Sequence, residues 1–441
     1  MTPLPSSRGR ARPSRLFVRA AMMFVVCVSI GGFAQAQEVP RPFRGLFRAS
    51  DDPRNARQQV ELAGTLFAGW VQADIAAPPV LVDQRLLNAS YVGVGSVLAY
   101  GFMGRIATVE SLTGGTWQHY STLPGFRPTR YFERAQLRVK VRPHTEVRLR
   151  GDVLYSPYYS LGLTGDPDAE AGELTPDAQE PFVLTRENIR VDAQVEIVHR
   201  PSPRSEVAAD YIFADTKFLN EGFHLRSHQA GVRYRRNMTE HAHLRLGYRF
   251  QQWSFAEADA PTLRGHDINV GIDYNRALPS SPRTRVGVDF GSTVAKQPGT
   301  TRVDVTGAAF IARRLSPLWV TSAVYTRAVD ARAGITQPVY FFSNTAALSL
   351  AGIVARRALV RLVGSYVRGT FSAGPVDDHS RSWNGTAGVS FRLKGVTALF
   401  AQATASTLRV SERLRNITGL PVMVDRVAVT GGLTIWLPLV R

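Results

Sequence analysis

The stretch Ile189-Arg190-Val191-Asp192-Ala193-Gln194-Val195-Glu196-Ile197-Val198-His199 decides the fold. Ile189, Val191, Ala193, Val195 and Ile197 share one parity, and Arg190, Asp192, Gln194 and Glu196 share the other. Side chains on a strand point alternately to opposite faces, so this segment carries one apolar face and one charged face.

The same two-residue alternation returns from Gln58 to Leu437. Gln136, Arg138, Lys140 and Arg142 oppose Leu137, Val139 and Val141, and Glu146, Arg148, Arg150 and Asp152 oppose Val147, Leu149 and Val153. His243, Arg245, Arg249 and Gln251 oppose Leu244, Leu246, Tyr248 and Phe250; Asp267, Asn269 and Asp273 oppose Ile268, Val270, Ile272 and Tyr274. Several charges per strand are costly against lipid and cheap inside a watery lumen. Of the two long uncharged stretches, Leu86 to Gly104 keeps strand parity, and Ala333 to Ala355 is interrupted by Pro338, Ser343, Asn344 and Thr345, so neither suits a spanning helix.

Turn residues divide the chain. Short connections are expected near Gly104, Pro143, Pro201 to Arg204, Asn237 to Glu240, Ala277 to Pro282, Arg314 to Pro317, Arg356 to Arg357 and Lys394 to Gly395. Longer ones are expected at Ile75 to Asp83, Thr122 to Thr129, Leu161 to Thr185, Asn220 to Gly222, Ala256 to Pro261, Gln297 to Thr300, Ala331 to Pro338, Ala373 to His379 and Val410 to Val424. Tight turns on one side and longer loops on the other are the asymmetry of an outer-membrane barrel. The predicted architecture is all-β: a transmembrane antiparallel β-barrel of about 18 strands, with about 16 as the even-numbered alternative. Tyr155, Tyr158, Tyr159, Trp253, Phe255, Trp319, Trp436 and the trio Tyr340, Phe341 and Phe342 are expected in aromatic girdles at the membrane interfaces. A multidomain β-sandwich or propeller is the competing architecture, disfavoured by an unbroken chain of this length and by the absence of a blade-length repeat.

The N-terminus reads as an export signal over residues 1–36. Arg8, Arg10, Arg12, Arg15 and Arg19 lead an apolar run from Ala20 to Gly32, and Ala34-Gln35-Ala36 supplies a cleavage site. Residues 37–57, rich in Pro and Arg, are expected as a periplasmic tail or small plug, and residues 58–441 as the barrel. The only cysteine, Cys27, lies in the signal, so no disulfide or thiolate site is expected in the mature chain. The chain holds 53 Lys plus Arg against 35 Asp plus Glu. These bases are spread along strands among acids, which argues against a nucleic-acid surface.

No catalytic or metal motif is present, and no cofactor is expected. His224, His228, His241, His243 and His266 fall on neighbouring predicted strands, where they form either a metal or proton-transfer site or a set of lumen and rim histidines. The acidic stretch Asp166 to Glu180 is a solvated loop, or else a calcium site or pore constriction. The strongest functional feature is a ladder on the fourth to sixth strands. Arg138, Lys140, Arg142, Arg148, Arg150 and Arg190 share one face with Glu146, Asp152, Asp192 and Glu196. Either this ladder selects anions, through the forked pairing of arginine with carboxylate and phosphate, or it only pins strand register. Separation of the two signs across the lumen would add a transverse field.

By this pattern residues 58 to 441 resemble porin-like outer-membrane β-barrels of double-membraned bacteria and, more loosely, the barrel porins associated with exopolysaccharide secretion. The first resemblance implies a channel for small polar solutes, anions among them. Its partners would be outer-membrane lipid, lipopolysaccharide and the barrel-assembly machinery, and it could form a homo-oligomer. The alternatives are an outer-membrane component of polysaccharide export and a rim hydrolase. One feature departs from the family: the chain ends Leu437-Pro438-Leu439-Val440-Arg441, with the nearest aromatic at Trp436.

Overall fold

The computed structural model describes residues 58–76, 88–121, 129–157, 187–219, 224–255, 262–278, 281–297, 300–333, 338–355, 357–373, 376–418 and 422–440. The expected signal peptide, the N-terminal tail, the acidic stretch Asp166 to Glu180, and Tyr158 and Tyr159 lie outside the described residues.

The described residues form eighteen strands. They are β1 (Gln58–Ala76), β2 (Asn88–Met103), β3 (Ala107–Tyr120), β4 (Thr129–Arg142), β5 (Thr145–Ser156), β6 (Asn188–Ser202), β7 (Ser205–Phe218), β8 (His224–Asn237) and β9 (Ala242–Phe255). The second half comprises β10 (Leu263–Leu278), β11 (Ser281–Gln297), β12 (Thr300–Ser316), β13 (Trp319–Ala333), β14 (Pro338–Val354), β15 (Ala358–Ala373), β16 (Val376–Lys394), β17 (Thr397–Val410) and β18 (Met423–Val440). One short helix, α1 (Glu412–Thr418), joins the last two strands. Every strand pairs antiparallel with its neighbour in sequence, and β1 pairs with both β2 and β18, which closes the sheet on itself. Closure leaves no free edge to aggregate or to expose unpaired backbone in lipid.

The two faces of the wall are those of a membrane protein. Leu66 (59% exposed), Val303 (68%) and Val305 (61%) stand on one face, with Val92, Leu98, Ile197, Val270 and Ile272 also exposed. On the opposite face Thr65 and Thr434 are buried, and their hydroxyls meet at 3.2 Å. A soluble protein would bury the first set and expose the second. An exposed apolar band around a closed barrel of eighteen strands is the exterior of an outer-membrane β-barrel of porin type, with lipid outside and a polar lumen inside.

The connections correct part of the expected asymmetry. Only two residues separate β11 from β12 and β15 from β16, although both connections were expected to be long, and His379 lies within β16 rather than in a loop. The β5–β6 connection spans some thirty residues. It is the longest connection, and β1–β2, β9–β10 and β17–β18 also lie well apart in sequence, as expected. A further irregularity lies at the outer end of β12. There the ladder to β13 stops at Gly307 opposite Arg327, so residues 300–306 pair with β11 alone. Asp304 closes this gap by accepting from Arg302 at 3.4 Å and from Arg327.

The aromatics also differ from expectation. Trp253 and Trp436 turn inward rather than toward lipid: Trp253 is buried, and Trp436 packs beside Ala63, Val97 and Leu112 while its indole N–H donates to Glu61 at 3.4 Å. Phe341 is likewise internal, packed at a tilt against Phe371 with ring centroids 4.7 Å apart. Strand parity, which places these three among lumen residues, overrides their interfacial preference. The inner surface near the closing seam is packed tightly: Phe67 and Phe400 fill the space over Gly93 and Gly432, and Tyr91 donates to or accepts from Thr430 at 2.6 Å.

Candidate functional site

The register of β3 to β10 fixes which residues meet. Gln136 stands opposite Arg150, Arg138 opposite Arg148, Lys140 opposite Glu146, and Arg134 opposite Asp152 across β4–β5. Across β5–β6, Arg148 faces Glu196, Arg150 faces Gln194 and Asp152 faces Asp192. Nine of the ten ladder residues therefore share the face opposite the exposed apolar side chains Leu149, Val191, Val195 and Ile197, while Arg142 follows a register shift and stands opposite Thr145.

The two signs interleave on this wall and do not separate across the lumen. Asp152 accepts from Arg134 and from Arg150, the latter at 2.7 Å. Arg148 donates to Glu146 at 2.6 Å and to Glu196 at 2.9 Å, while the second oxygen of Glu196 accepts from Arg233 of β8 at 2.8 Å. Arg190 pairs with Asp192 at 2.7 Å, Arg200 with Glu206 at 3.0 Å, and Arg249 of β9 with Asp210 of β7 at 3.3 Å. The network spans β4 to β9, further than the three strands that the sequence singled out. Arg134, Arg233, Arg249 and Asp210 belong to it, and the parity rule already in use could have found them. Arg138, Lys140 and Arg142 stand apart: among the described residues they make no ion pair within 4 Å. They form a basic run at the end of β4 that borders the two-residue turn to β5.

The facing wall differs in kind. On β15 to β18 and β1 the same inner face presents Ser365, Ser382, Asn384, Thr386, Thr404 and Thr430, joined in places by hydroxyl contacts such as Thr386 to Thr404 at 3.3 Å. An ordered Arg–carboxylate wall thus looks across at a wall of hydroxyls and small residues.

The expected histidine cluster does not form. His228 and His266 lie on the outer face, each bonded to a tyrosine hydroxyl (Tyr211 at 2.8 Å and Tyr248 at 2.9 Å), and each packs on a phenylalanine, Phe213 and Phe250. His243 is on the inner face with Asn237 at 2.7 Å, His224 lies 4.0 Å from Asp215, and His241 sits in the turn at the other rim. Among the described residues no group of three or more His, Cys, Asp or Glu could hold a metal ion. One Ser–carboxylate pair does occur at the rim, Ser411 donating to Asp378 at 2.5 Å. That same hydroxyl caps α1 by accepting from the Leu414 N–H at 3.0 Å, and the adjacent His379 is bonded instead to Thr370 at 3.2 Å. The serine is engaged as a cap, with no histidine base aimed at it.

No protein-family model matches the chain, and no curated protein matches it in sequence. Solved structures with a similar fold include the outer membrane protein OpdK of Pseudomonas aeruginosa, with a TM-score of 0.43 and 11% identity over 86% of this chain and 99% of that one. They also include Pseudomonas aeruginosa OccK2 (OpdF) in complex with glucuronate, with a TM-score of 0.45 and 11% identity over 87% of this chain and 99% of that one. A third is the FrpB iron transporter of Neisseria meningitidis, with a TM-score of 0.41 and 9% identity over 85% of this chain and 81% of that one.

Proposed function

We propose that this barrel is a channel for small polar solutes, with a preference for anions, and that Arg138, Lys140, Arg142, Arg148, Arg150 and Arg190 with Glu146, Asp152, Asp192 and Glu196 line its path. An eighteen-stranded barrel is wide enough to enclose an aqueous lumen. The observation that carries the reading is the division of labour along the ladder. Arginines on β5 and β6 are matched to carboxylates, whereas among the described residues Arg138, Lys140 and Arg142 make no ion pair within 4 Å, Arg138 acting on Glu146 only at longer range. A carboxylate or phosphate passing that run meets charge-assisted donors, while a cation meets repulsion. The hydroxyl wall opposite would give a solute's neutral polar groups their partners. No observation here favours polysaccharide export over conduction.

The test is single-channel conductance of the refolded protein in a planar bilayer under a salt gradient. Steady steps with a reversal potential on the anion side support the proposal. A folded, heat-modifiable barrel that never conducts, or one that prefers cations, overturns it.

A further inference from the structure

The exterior carries a second basic array, independent of the lumen. Near the outer ends of β13 to β17 the ladders align Arg327 with Asn344, Asn344 with Arg368, Arg368 with Arg381, and Arg381 with Arg409. These five residues make one lateral row, and strand parity puts it on the lipid-facing side with Tyr325 and Trp383, both exposed. At about 4.8 Å per strand the row is roughly 19 Å wide.

The ends of the row are matched and its middle is not. Arg327 meets Asp304, and Arg409 meets Asp425 at 3.3 Å. Arg368 and Arg381, both exposed and directly opposite each other, have no ion-pair partner among the described residues. Like charges directly opposed on one sheet face are destabilising. Among the described residues the nearest carboxylates, Asp304 and Asp425, are taken at the two ends of the row, and further donors lie beside its middle. Tyr325 donates to the Asn344 carbonyl oxygen at 2.8 Å, leaving the amide NH2 of Asn344 as a donor, and Thr370 and His379 form the next pair toward the rim.

Depth identifies the occupant. One pleat toward the membrane centre, Tyr366 and Trp383 stand opposite each other with ring centroids 4.7 Å apart. Paired outward aromatics of this kind mark the interface between acyl chains and headgroups. The arginines lie two residues further out, about 7 Å along the strand, at the level of the headgroups. The anions available at that level are phosphates carried on lipid, and arginine forks bind phosphate in two-point contacts. We propose that the Arg327–Asn344–Arg368–Arg381–Arg409 row is a docking site for the phosphorylated headgroup of an outer-leaflet glycolipid, held chiefly by Arg368 and Arg381. The site rests on the outer-membrane placement of the barrel and not on its being a channel.

The experiment uses the full mature chain in phosphatidylcholine nanodiscs, titrated with lipid A and, in parallel, with lipid A stripped of its phosphates. Retained lipid is read by native mass spectrometry. The expected result is retention of the phosphorylated form only, weakened at least about tenfold in Arg368→Gln/Arg381→Gln, the scale of losing charge-assisted contacts. Arg226→Gln/Arg264→Gln, which removes two outward charges from the far side of the barrel, should leave retention unchanged, and Arg368→Lys/Arg381→Lys should keep part of it. Equal retention of the dephosphorylated lipid, equal loss in the far-side variant, or undiminished binding in the Gln pair would each overturn the site. Displacement of lipid A by equimolar inorganic phosphate would do the same, because the row would then be a free-anion site and not a lipid dock. Should the Gln pair fail to fold, the Lys pair and the far-side pair still decide between these outcomes.

Discussion

Arg148 of β5 stands directly opposite Glu196 of β6 and donates to it at 2.9 Å, while its Nε reaches Glu146 on its own strand at 2.6 Å. The second Glu196 oxygen is taken by Arg233, two strands further on. One arginine and one glutamate thereby tie β5, β6 and β8 together. A slip of one residue would turn every member toward lipid, so the network specifies register whatever else it does.

Removing Arg148 should therefore be felt in stability. Arg148→Gln leaves Glu146 without its closest partner and Glu196 with Arg233 alone. A loss of about 1 kcal/mol is expected, discounted because the guanidinium is about one-third exposed. The charge-reversing pair Arg148→Glu/Arg150→Glu places new carboxylates beside Glu146, Glu196 and Asp152, and is expected to impair assembly outright. Heat-modifiable mobility and the urea midpoint measure both. A reversed variant that folds as well as the parent would show that the ladder is dispensable for register.

Selectivity should respond to a different set of residues. Arg138, Lys140 and Arg142 have no ion pair to lose, so Arg138→Gln/Lys140→Gln/Arg142→Gln should leave the thermal midpoint close to that of the parent. The reversal potential under a salt gradient should shift toward cations, with a several-fold fall in the anion-to-cation permeability ratio. An unchanged reversal potential in a folded channel would place the selectivity element elsewhere.

The barrel and its charged face were legible because both depend only on parity. The alternation in residues 189–199 and its repeats gave the strand type, the even count and the side on which each ladder residue stands. Composition could not say which aromatics would be internal. Trp253 and Trp436 lie near strand ends, where composition suggests a girdle, but their parity puts them on the inner face, where they pair with Leu263 and Ala63. Two connection lengths failed for a related reason. Strand residues such as Thr300 and His379 are polar and sit beside prolines and glycines, so the ends of β12 and β16 read as loops, although the ladder hydrogen bonds continue through them. The stop in the β12–β13 ladder is a matter of register between strands and leaves no mark in either strand alone.

That stop makes Asp304 a structural staple. It is buried and receives both Arg302 and Arg327 where β12 has lost its partner strand. Asp304→Ala should cost about 2 kcal/mol locally, since two arginines lose a shared acceptor. The outer part of β12 should then open while the rest of the barrel holds. Amide hydrogen exchange reads this directly: faster exchange at Val303 and Val305, with unchanged protection at Ile311 across the intact ladder, is the expected pattern. Uniform protection in the variant would mean that the β11 ladder alone holds the segment.

The closing seam offers the sharpest steric test. Gly432 of β18 lies between Phe67 of β1 and Phe400 of β17 on the inner face. A Cβ at this position would press on the Leu66 carbonyl oxygen and come within 2.8 Å of the Phe400 ring. Backbone cannot yield there without shifting the β1–β18 ladder that closes the barrel, and overpacking of this kind costs about 1–3 kcal/mol. Its neighbour Gly431 points to the other face, where a Cβ would sit 3.5 Å from the Phe400 carbonyl oxygen, an ordinary contact. Gly432→Ala should therefore lower the folded yield and the thermal midpoint. Gly431→Ala should be neutral or slightly stabilising, because alanine restricts the unfolded chain more than glycine does. Equal behaviour of the two variants would show that the seam has slack, and that Phe67 and Phe400 can move aside without opening the barrel.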